Sequence, residues 1–400
     1  MASNKKNTWI KPRHNTLRNI LAPVIGLYTR LKFGIKPEKF QDQGDRQYLI
    51  IMNHQTSFDQ FFVSLSFRGP IYYIATEDLF SKGWISRAIS YIQAPIPIRK
   101  QTMDLKAVKN CLRVAKEGGT IALAPEGNRT YSGRTLHMKP SIAKLCRSLK
   151  LPLAIYRIEG GYGVEPRWSD VTRKGPMTAR VTRVIEPEEY DQMTNEELFD
   201  IIQQELWVDE AAVTGNYPHS RSAEYLERAI YVCPFCGLAE HESHGDTITC
   251  KSCGKQVKYL PTKELKGVDF DFPFPFVAQW YDYQEEFVNG LDLTAMTEEP
   301  LFHDTAKLSE VILYDRKVKL KDSVFLTLYG DKVDIDGTEY PFDEISYVTV
   351  LGRNKLNLYI GDKVYQCKGS KRFNALKYVH IYHRYKNIKE GNEHGKFLGL

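Results

Sequence analysis

Thirteen residues, YLIIMNHQTSFDQ at 48–60, limit the fold of this chain more than any other stretch. Leu49, Ile50, Ile51 and Met52 form an unbroken apolar run with no alternation, the pattern of a strand buried on both faces in a helix-covered sheet. Ser57 followed by Gln60 three residues later has the form of a capping box, so a helix is expected to start there. His54 then falls in the turn and Asp59 in the first helical turn. Open α/β sheets hold their ligand chemistry at this place, outside the carboxyl ends of the strands. An imidazole that donates its Nδ1 proton to Asp59 keeps Nε2 free to take a proton from a hydroxyl.

The alternation continues downstream. Strands are expected at 71–74, 95–99, 120–124, 153–157 and 179–184, and helices at 80–91 and 107–116, the latter stopped by Gly118 and Gly119. This argues for an α/β sheet with helices on both faces, in a domain spanning 41–215. The strand at 120–124 runs directly into Pro125, Glu126, Gly127, Asn128, Arg129 and Thr130. There Gly127 lets the backbone approach a ligand, and Arg129 can grip a phosphate through two parallel hydrogen bonds.

The spacing of His54 and Asp59, led by Asn53, resembles the NHxxxxD motif of the glycerolipid (lysophospholipid) acyltransferase family. The 125–130 loop resembles that family's FPEGTRS block, with Ala124, Asn128 and Thr130 in place of Phe, Thr and Ser. The blocks stand 72 residues apart, from His54 to Glu126, a separation similar to the family's. Arg99 matches the arginine of its second motif, although Gln93 stands where a glycine is common, and Leu151-Pro152-Leu153 corresponds to its fourth, hydrophobic block. The resemblance implies an α/β acyltransferase domain, with a mixed sheet flanked by helices. It implies His54 as general base oriented by Asp59, and an acceptor site made of Asn53, Arg99, Glu126, Gly127 and Arg129. The expected reaction moves a fatty acyl group from acyl-ACP or acyl-CoA to the hydroxyl of a lysophosphatidate or related glycerol phosphate, in the manner of a 1-acylglycerol-3-phosphate acyltransferase. No Ser or Cys is positioned as a nucleophile, and the chain has no GxSxG, GxxxxGK[ST] or HExxH motif, so direct attack in a ternary complex is favoured. Two other readings stay open: a non-catalytic lipid-binding scaffold on the same fold, and acyl hydrolysis by the same dyad.

Cys233, Cys236, Cys250 and Cys253 form two CxxCG knuckles thirteen residues apart. Such knuckles bring four thiolates around one tetrahedral Zn²⁺, with His241 or His244 as substitute ligands. A four-sulfur site has no open coordination position, so a structural zinc ribbon is expected over 216–265. The other three cysteines are scattered, a pattern that fits a reducing cytosol better than disulfides.

Four hundred residues suggest two to four domains. Residues 1–40 carry nine Lys or Arg against Glu38, a net +8, while the whole chain is +6 and the remainder therefore −2. Interleaved aliphatics make this stretch one or two short basic amphipathic helices, interrupted at Pro23 and Gly26, that contact a membrane phospholipid surface. Nucleic acid is disfavoured as a partner by the arm's aliphatic content. No apolar run is long enough to span a bilayer and no signal peptide is evident, so the expected place is the cytoplasm, peripherally on the inner face of the membrane. Residues 266–305 form an aromatic-rich connector expected to pack on a domain. Short alternating runs and a final helical segment at 306–390 resemble a pleckstrin-homology-like β-barrel closed by a helix, followed by a tail at 391–400.

Overall fold

The apolar run at 49–52 becomes the central strand of a six-stranded mixed sheet. In the computed structural model of the chain, which describes residues 8–98, 104–392 and 395, the protein divides into two compact units. The first gathers 1–129, 135–161 and 177–208. Its elements are α1 (Pro12–Phe33), β1 (Leu49–Met52), α2 (Asp59–Ser66), β2 (Ile71–Thr76), α3 (Trp84–Ile92), β3 (Ile96–Ile98), α4 (Leu105–Lys116), β4 (Thr120–Leu123), α5 (Ser141–Leu149) and β5 (Leu153–Glu159). A one-turn helix α6 (Gly161–Val164) begins where this segment ends, and β6 (Thr178–Ile185), the short α7 (Pro187–Tyr190) and α8 (Asn195–Leu206) complete the set.

The strand order is β3-β2-β4-β1-β5-β6, parallel except for β6, which runs antiparallel to β5. All four residues of β1 are buried, as a parallel strand covered on both faces must be. Leu49 and Ile51 join Tyr72, Ile121, Leu153 and Ile155 in a core with Cys111 and Val114 of α4, Ile142 and Cys146 of α5, and Leu198 and Ile202 of α8. The steps from β1 to β2 and β2 to β3 move toward one sheet edge. Those from β3 to β4 and β4 to β5 move toward the other. Right-handed crossovers then put α2 and α3 on one face, where α1 packs on both, and α4 and α5 on the opposite face, where α8 packs on α5. Between the carboxyl ends of β1 and β4 the chain departs to opposite faces, which makes this the switch point of the sheet.

Two local expectations are corrected. The Ser57 cap does not form: α2 starts at Asp59 after Phe58, and Gln60 Nε2 donates to the Ser57 carbonyl. The Asp59 carboxylate is turned back over the preceding turn, where it accepts from that turn's donors. The N-terminal segment is one continuous 22-residue helix, longer than the short helices expected and not interrupted at Pro23 or Gly26, its inward face held on α2 and α3. None of the helices among the described residues is long and apolar enough to cross a membrane.

The second unit gathers 130–134, 162–176 and 209–400. Segments 130–134 and 162–176 thus group with the cysteine-bearing half of the chain, although they lie between strands of the first sheet in sequence. A hairpin of β7 (Val232–Cys233) and β8 (Gly237–Leu238) precedes a four-stranded sheet of β9 (His241–His244), β10 (Thr247–Cys250), β11 (Gln256–Tyr259) and β12 (Leu265–Gly267). In the connector, Phe272 packs edge-on against Trp280 of α9 (Val277–Asn289), with centroids 4.9 Å apart, so this segment is structural rather than a free tether.

The last sheet contains β13 (Phe302–Ile312), β14 (Arg316–Leu328), β15 (Lys332–Ile335), β16 (Thr338–Pro341), β17 (Ile345–Leu351), β18 (Lys355–Ile360) and β19 (Lys363–Gly369). All pairings are antiparallel, in the order β16-β15-β14-β13-β19-β18-β17. Asp336 and Gly337, both with positive φ, make the two-residue turn between β15 and β16 that their sequence implies. Register shifts near Ala306 and Leu308 bend the long β13–β14 hairpin. The sheet is an antiparallel half-barrel, ending at β16 and β17, where a barrel-like domain with a closing helix was expected. Its concave side is filled by α10 (Leu376–Lys389), which packs on β17 and buries Leu376, Val379 and Ile381. One hydrophobic core runs from Trp168 and Tyr259 through Trp280 to Leu326 and Leu376, so ribbon, connector and half-barrel are not separate cores.

Candidate active site

The turn that leaves β1 is built around one carboxylate. Asp59 is fully buried, and its Oδ2 accepts from Gln55 N at 2.7 Å and from Thr56 N at 3.1 Å. Oδ1 accepts from Thr56 N at 2.9 Å and from Thr56 Oγ1 at 2.7 Å. His54 Nδ1 lies 2.8 Å from Oδ2. A carboxylate can only accept, so the imidazole donates to Asp59 from Nδ1 and its other nitrogen, Nε2, is not engaged by Asp59. The His54 side chain is 27% exposed, so that nitrogen can meet a ligand while its partner stays dry.

The adjacent strand end braces the same turn. Glu126 follows β4, and its Oε1 accepts from His54 N at 2.7 Å while Oε2 accepts from Leu136 N at 2.7 Å. Burial pushes its carboxyl up to about 8, against the pull of these two amides and with Asp59 adding to the rise. Asn53 closes the other side: its Nδ2 donates to Ile158 O and its Oδ1 accepts from Ile158 N, each at 2.8 Å. The side chain thus pairs with β5 like a further strand residue.

Asn53 and Glu126, both expected to touch an acceptor, are buried, and each bonds to backbone groups through both of its side-chain polar atoms. Gly127 is exposed with φ +70 and open space where a Cβ would sit, so the backbone here can be approached closely. Arg129 is half-buried two residues on. The expected Arg99 lies outside the described residues. The structure therefore brings His54, Asp59, Asn53 and Glu126 together at the ends of neighbouring strands.

Thr56 was missed from sequence. Its hydroxyl donates to Asp59 Oδ1 and accepts from Phe58 N at 3.1 Å. A Thr three residues before Asp, in a turn, is the available signal, since such side chains satisfy turn backbones. Gly161 was missed too: a Cβ there would sit 2.6 Å from Gln55 Cβ, so only glycine lets β5's end pass beneath the turn.

In the second unit the Sγ atoms of Cys233, Cys236, Cys250 and Cys253 lie within 4.8 Å of one another. Cys233 and Cys253 are 3.8 Å apart, and Cys236 and Cys250 3.6 Å. A tetrahedral ion with Zn–S bonds of about 2.3 Å sets sulfur–sulfur edges of about 3.8 Å, so the donor set can hold a metal of this kind. Neither His241 nor His244 belongs to the cluster.

Comparison with known proteins bears on the first unit. Residues 35–157 match the family model described as Acyltransferase. No curated protein matches the chain. Among solved structures, the 1-acyl-sn-glycerophosphate (LPA) acyltransferase PlsC from Thermotoga maritima is similar at 18% identity, with a TM-score of 0.41, over 49% of this chain and 80% of that one.

Proposed function

We propose, from the match of residues 35–157 to the acyltransferase family model, that the chain moves a fatty acyl group from a thioester, acyl-ACP or acyl-CoA, to the hydroxyl of a lysophosphatidate-type acceptor. The observation that carries this reading is the 2.8 Å contact of His54 Nδ1 with a fully buried Asp59 that accepts only from donors. In the proposed step the acceptor hydroxyl gives its proton to His54 Nε2 as its oxygen attacks the thioester carbonyl. The C–S bond then breaks, and the proton passes from Nε2 to the leaving thiolate. Asp59 stabilises the transient imidazolium, and general-base assistance of this kind contributes about 10²- to 10⁴-fold. Arg129 and the open backbone at Gly127 would bind the phosphate end, with Arg99 as a further candidate. Asn53 and Glu126 would position the dyad.

Zinc in the four-cysteine cluster would be structural, because four thiolates leave no position for substrate. For the half-barrel, the order of four strands folded back on three, capped by a helix, supports the pleckstrin-homology-like reading. The acceptor is a membrane lipid, which supports a cytoplasmic enzyme working peripherally at the bilayer through its basic N-terminal helix.

The test is direct. Purified protein given lysophosphatidate and each donor should form the diacyl product. His54→Ala should abolish this while keeping its circular dichroism spectrum. Equal activity in the variant would refute the mechanism, and release of free fatty acid in place of diacyl product would favour hydrolysis.

A further inference from the structure

Among the described residues, the first unit clusters uncovered apolar side chains on two helices, only one of which its sequence singles out. On α1 the inward face holds His14, Leu21, Ile25 and Phe33. Ile20, Val24, Leu27 and Leu31, spaced by four, three and four, face outward and are 60–65% exposed, with Tyr28 beside them. On α3, Trp84 is 73% exposed and Ile85 and Tyr91 are exposed as well. The two helices pack on each other, and Arg13 of α1 donates from Nε to the Tyr91 carbonyl with its guanidinium 4.4 Å over the Tyr91 ring. The outward side chains therefore belong to one layer. Clustered exposure of this kind marks an interaction surface, where scattered single residues would not.

Charge identifies the partner. Residues 8–37 carry Lys11, Arg13, Arg18, Arg30, Lys32 and Lys36 with no Asp or Glu, and residues 79–98 carry Lys82 and Arg87 with none. An apolar layer on two helices whose only charged residues are basic complements an anionic lipid surface, where aliphatic side chains enter the acyl boundary and an indole settles at the headgroup level.

We propose that α3, through Trp84, Ile85 and Tyr91, is a second lipid anchor that lies down on anionic bilayers together with the outward stripe of α1. The last turn of α1 joins this layer to the catalytic turn. Tyr28 and Phe33 pack against Phe58, with centroids 5.5 and 5.0 Å apart, and the Lys32 ammonium sits 4.6 Å over the Phe58 ring. Phe58 immediately precedes Asp59. Binding by α3 stands apart from the acyl-transfer reading; only its value in presenting a lipid acceptor to His54 rests on that reading.

Vesicle partitioning of the full chain tests the proposal, using phosphatidylcholine vesicles with and without phosphatidylglycerol. Trp84→Ser with Ile85→Ser should weaken partitioning at least about tenfold. Leu27→Ser with Leu31→Ser should do the same. Lys82→Gln and Arg87→Gln should each weaken binding to anionic vesicles about fivefold and leave neutral vesicles unaffected. Brominated lipids should quench the wild-type tryptophan emission more than that of Trp84→Phe. Unchanged partitioning of the Trp84/Ile85 variant would overturn the proposal. So would a dimer in sedimentation that the same variant dissociates, because the face would then be an interface between copies. Acyl transfer on detergent-dispersed acceptor separates the two readings: its absence in the wild type counts against the reaction and leaves the lipid anchor standing.

Discussion

Asp59→Asn is the sharpest test of the candidate site, because it preserves shape and removes only charge and acceptor capacity. In the wild type the two carboxylate oxygens accept from Gln55 N, Thr56 N, the Thr56 hydroxyl and His54 Nδ1, all at 3.1 Å or less. An asparagine must present its NH₂ to one of these sets. If the NH₂ takes the Oδ2 place, it faces Gln55 N–H, and His54 Nδ1 must become an acceptor, which moves the ring proton to Nε2 and abolishes the base. If it takes the Oδ1 place, it faces Thr56 N–H, and the imidazolium loses its counter-charge. Either arrangement leaves at least one buried donor without an acceptor, a cost of about 1–3 kcal/mol. The expected outcome is a folded protein with a lowered melting temperature, kcat reduced about 10²- to 10⁴-fold, and KM for the acceptor changed less than about threefold. The assay is steady-state transfer to lysophosphatidate across pH 6 to 9, with folding checked by circular dichroism. A variant whose kcat stays within about threefold of wild type throughout that range would show that the dyad does not carry the chemistry.

Burial holds the Glu126 carboxyl near 8, above its unfolded value of about 4.3, so the folded state carries an extra proton between those limits. Its contribution to stability is complete at low pH and is lost as pH rises toward 8, with a slope of up to about 1.4 kcal/mol per pH unit. Urea midpoints measured from pH 5 to 8 should show this slope and lose it in Glu126→Gln; an identical slope in the variant would refute the assignment. Asn53→Ala should cost about 1–3 kcal/mol in the same assay, because Ile158 N–H and C=O both lose their partner. One equivalent of zinc per chain is expected by elemental analysis and should be lost in Cys250→Ser with a fall in melting temperature; a metal-free wild type as stable as a zinc-reconstituted sample would contradict the structural role. Gly175→Ala should destabilise the second unit by about 1–3 kcal/mol, because its Cβ would lie 2.1 Å from the Tyr217 ring; calorimetry showing no shift would count against this packing.

Much of the first sheet was legible because parallel strands announce themselves as unbroken apolar runs: 49–52 and 120–123 fall where their composition puts them. The start of α2 was not legible. Ser57 and Gln60 have the right spacing for a cap, yet Asp59 offers a stronger acceptor, and the turn's amides close on it instead. The long strands of the half-barrel were read as shorter runs: β14 begins at Arg316, and there Val318 and Leu320 alternate with Lys317, Lys319 and Lys321 without being fully buried, so the apolar signal is weak. The helix at 277–289 was hidden among aromatics whose helical face shows only once Trp280, Tyr281 and Gln284 are seen to be buried.

The same division holds at the site. The sequence by itself determined which groups are present for chemistry, a His and an Asp five residues apart in one turn, because a short turn fixes their approach through local covalent geometry. It also determined the four-cysteine cluster, since each CxxC knuckle pre-pairs two sulfurs. Only the tertiary structure decided what Glu126 and Asn53 bond to. Their partners, His54 N and Ile158, are 72 and 105 residues away and become neighbours only when β1 is laid between β4 and β5. A polar side chain read alone can serve a ligand or a backbone, and only the folded chain shows that both of these are buried with each polar end bonded to backbone.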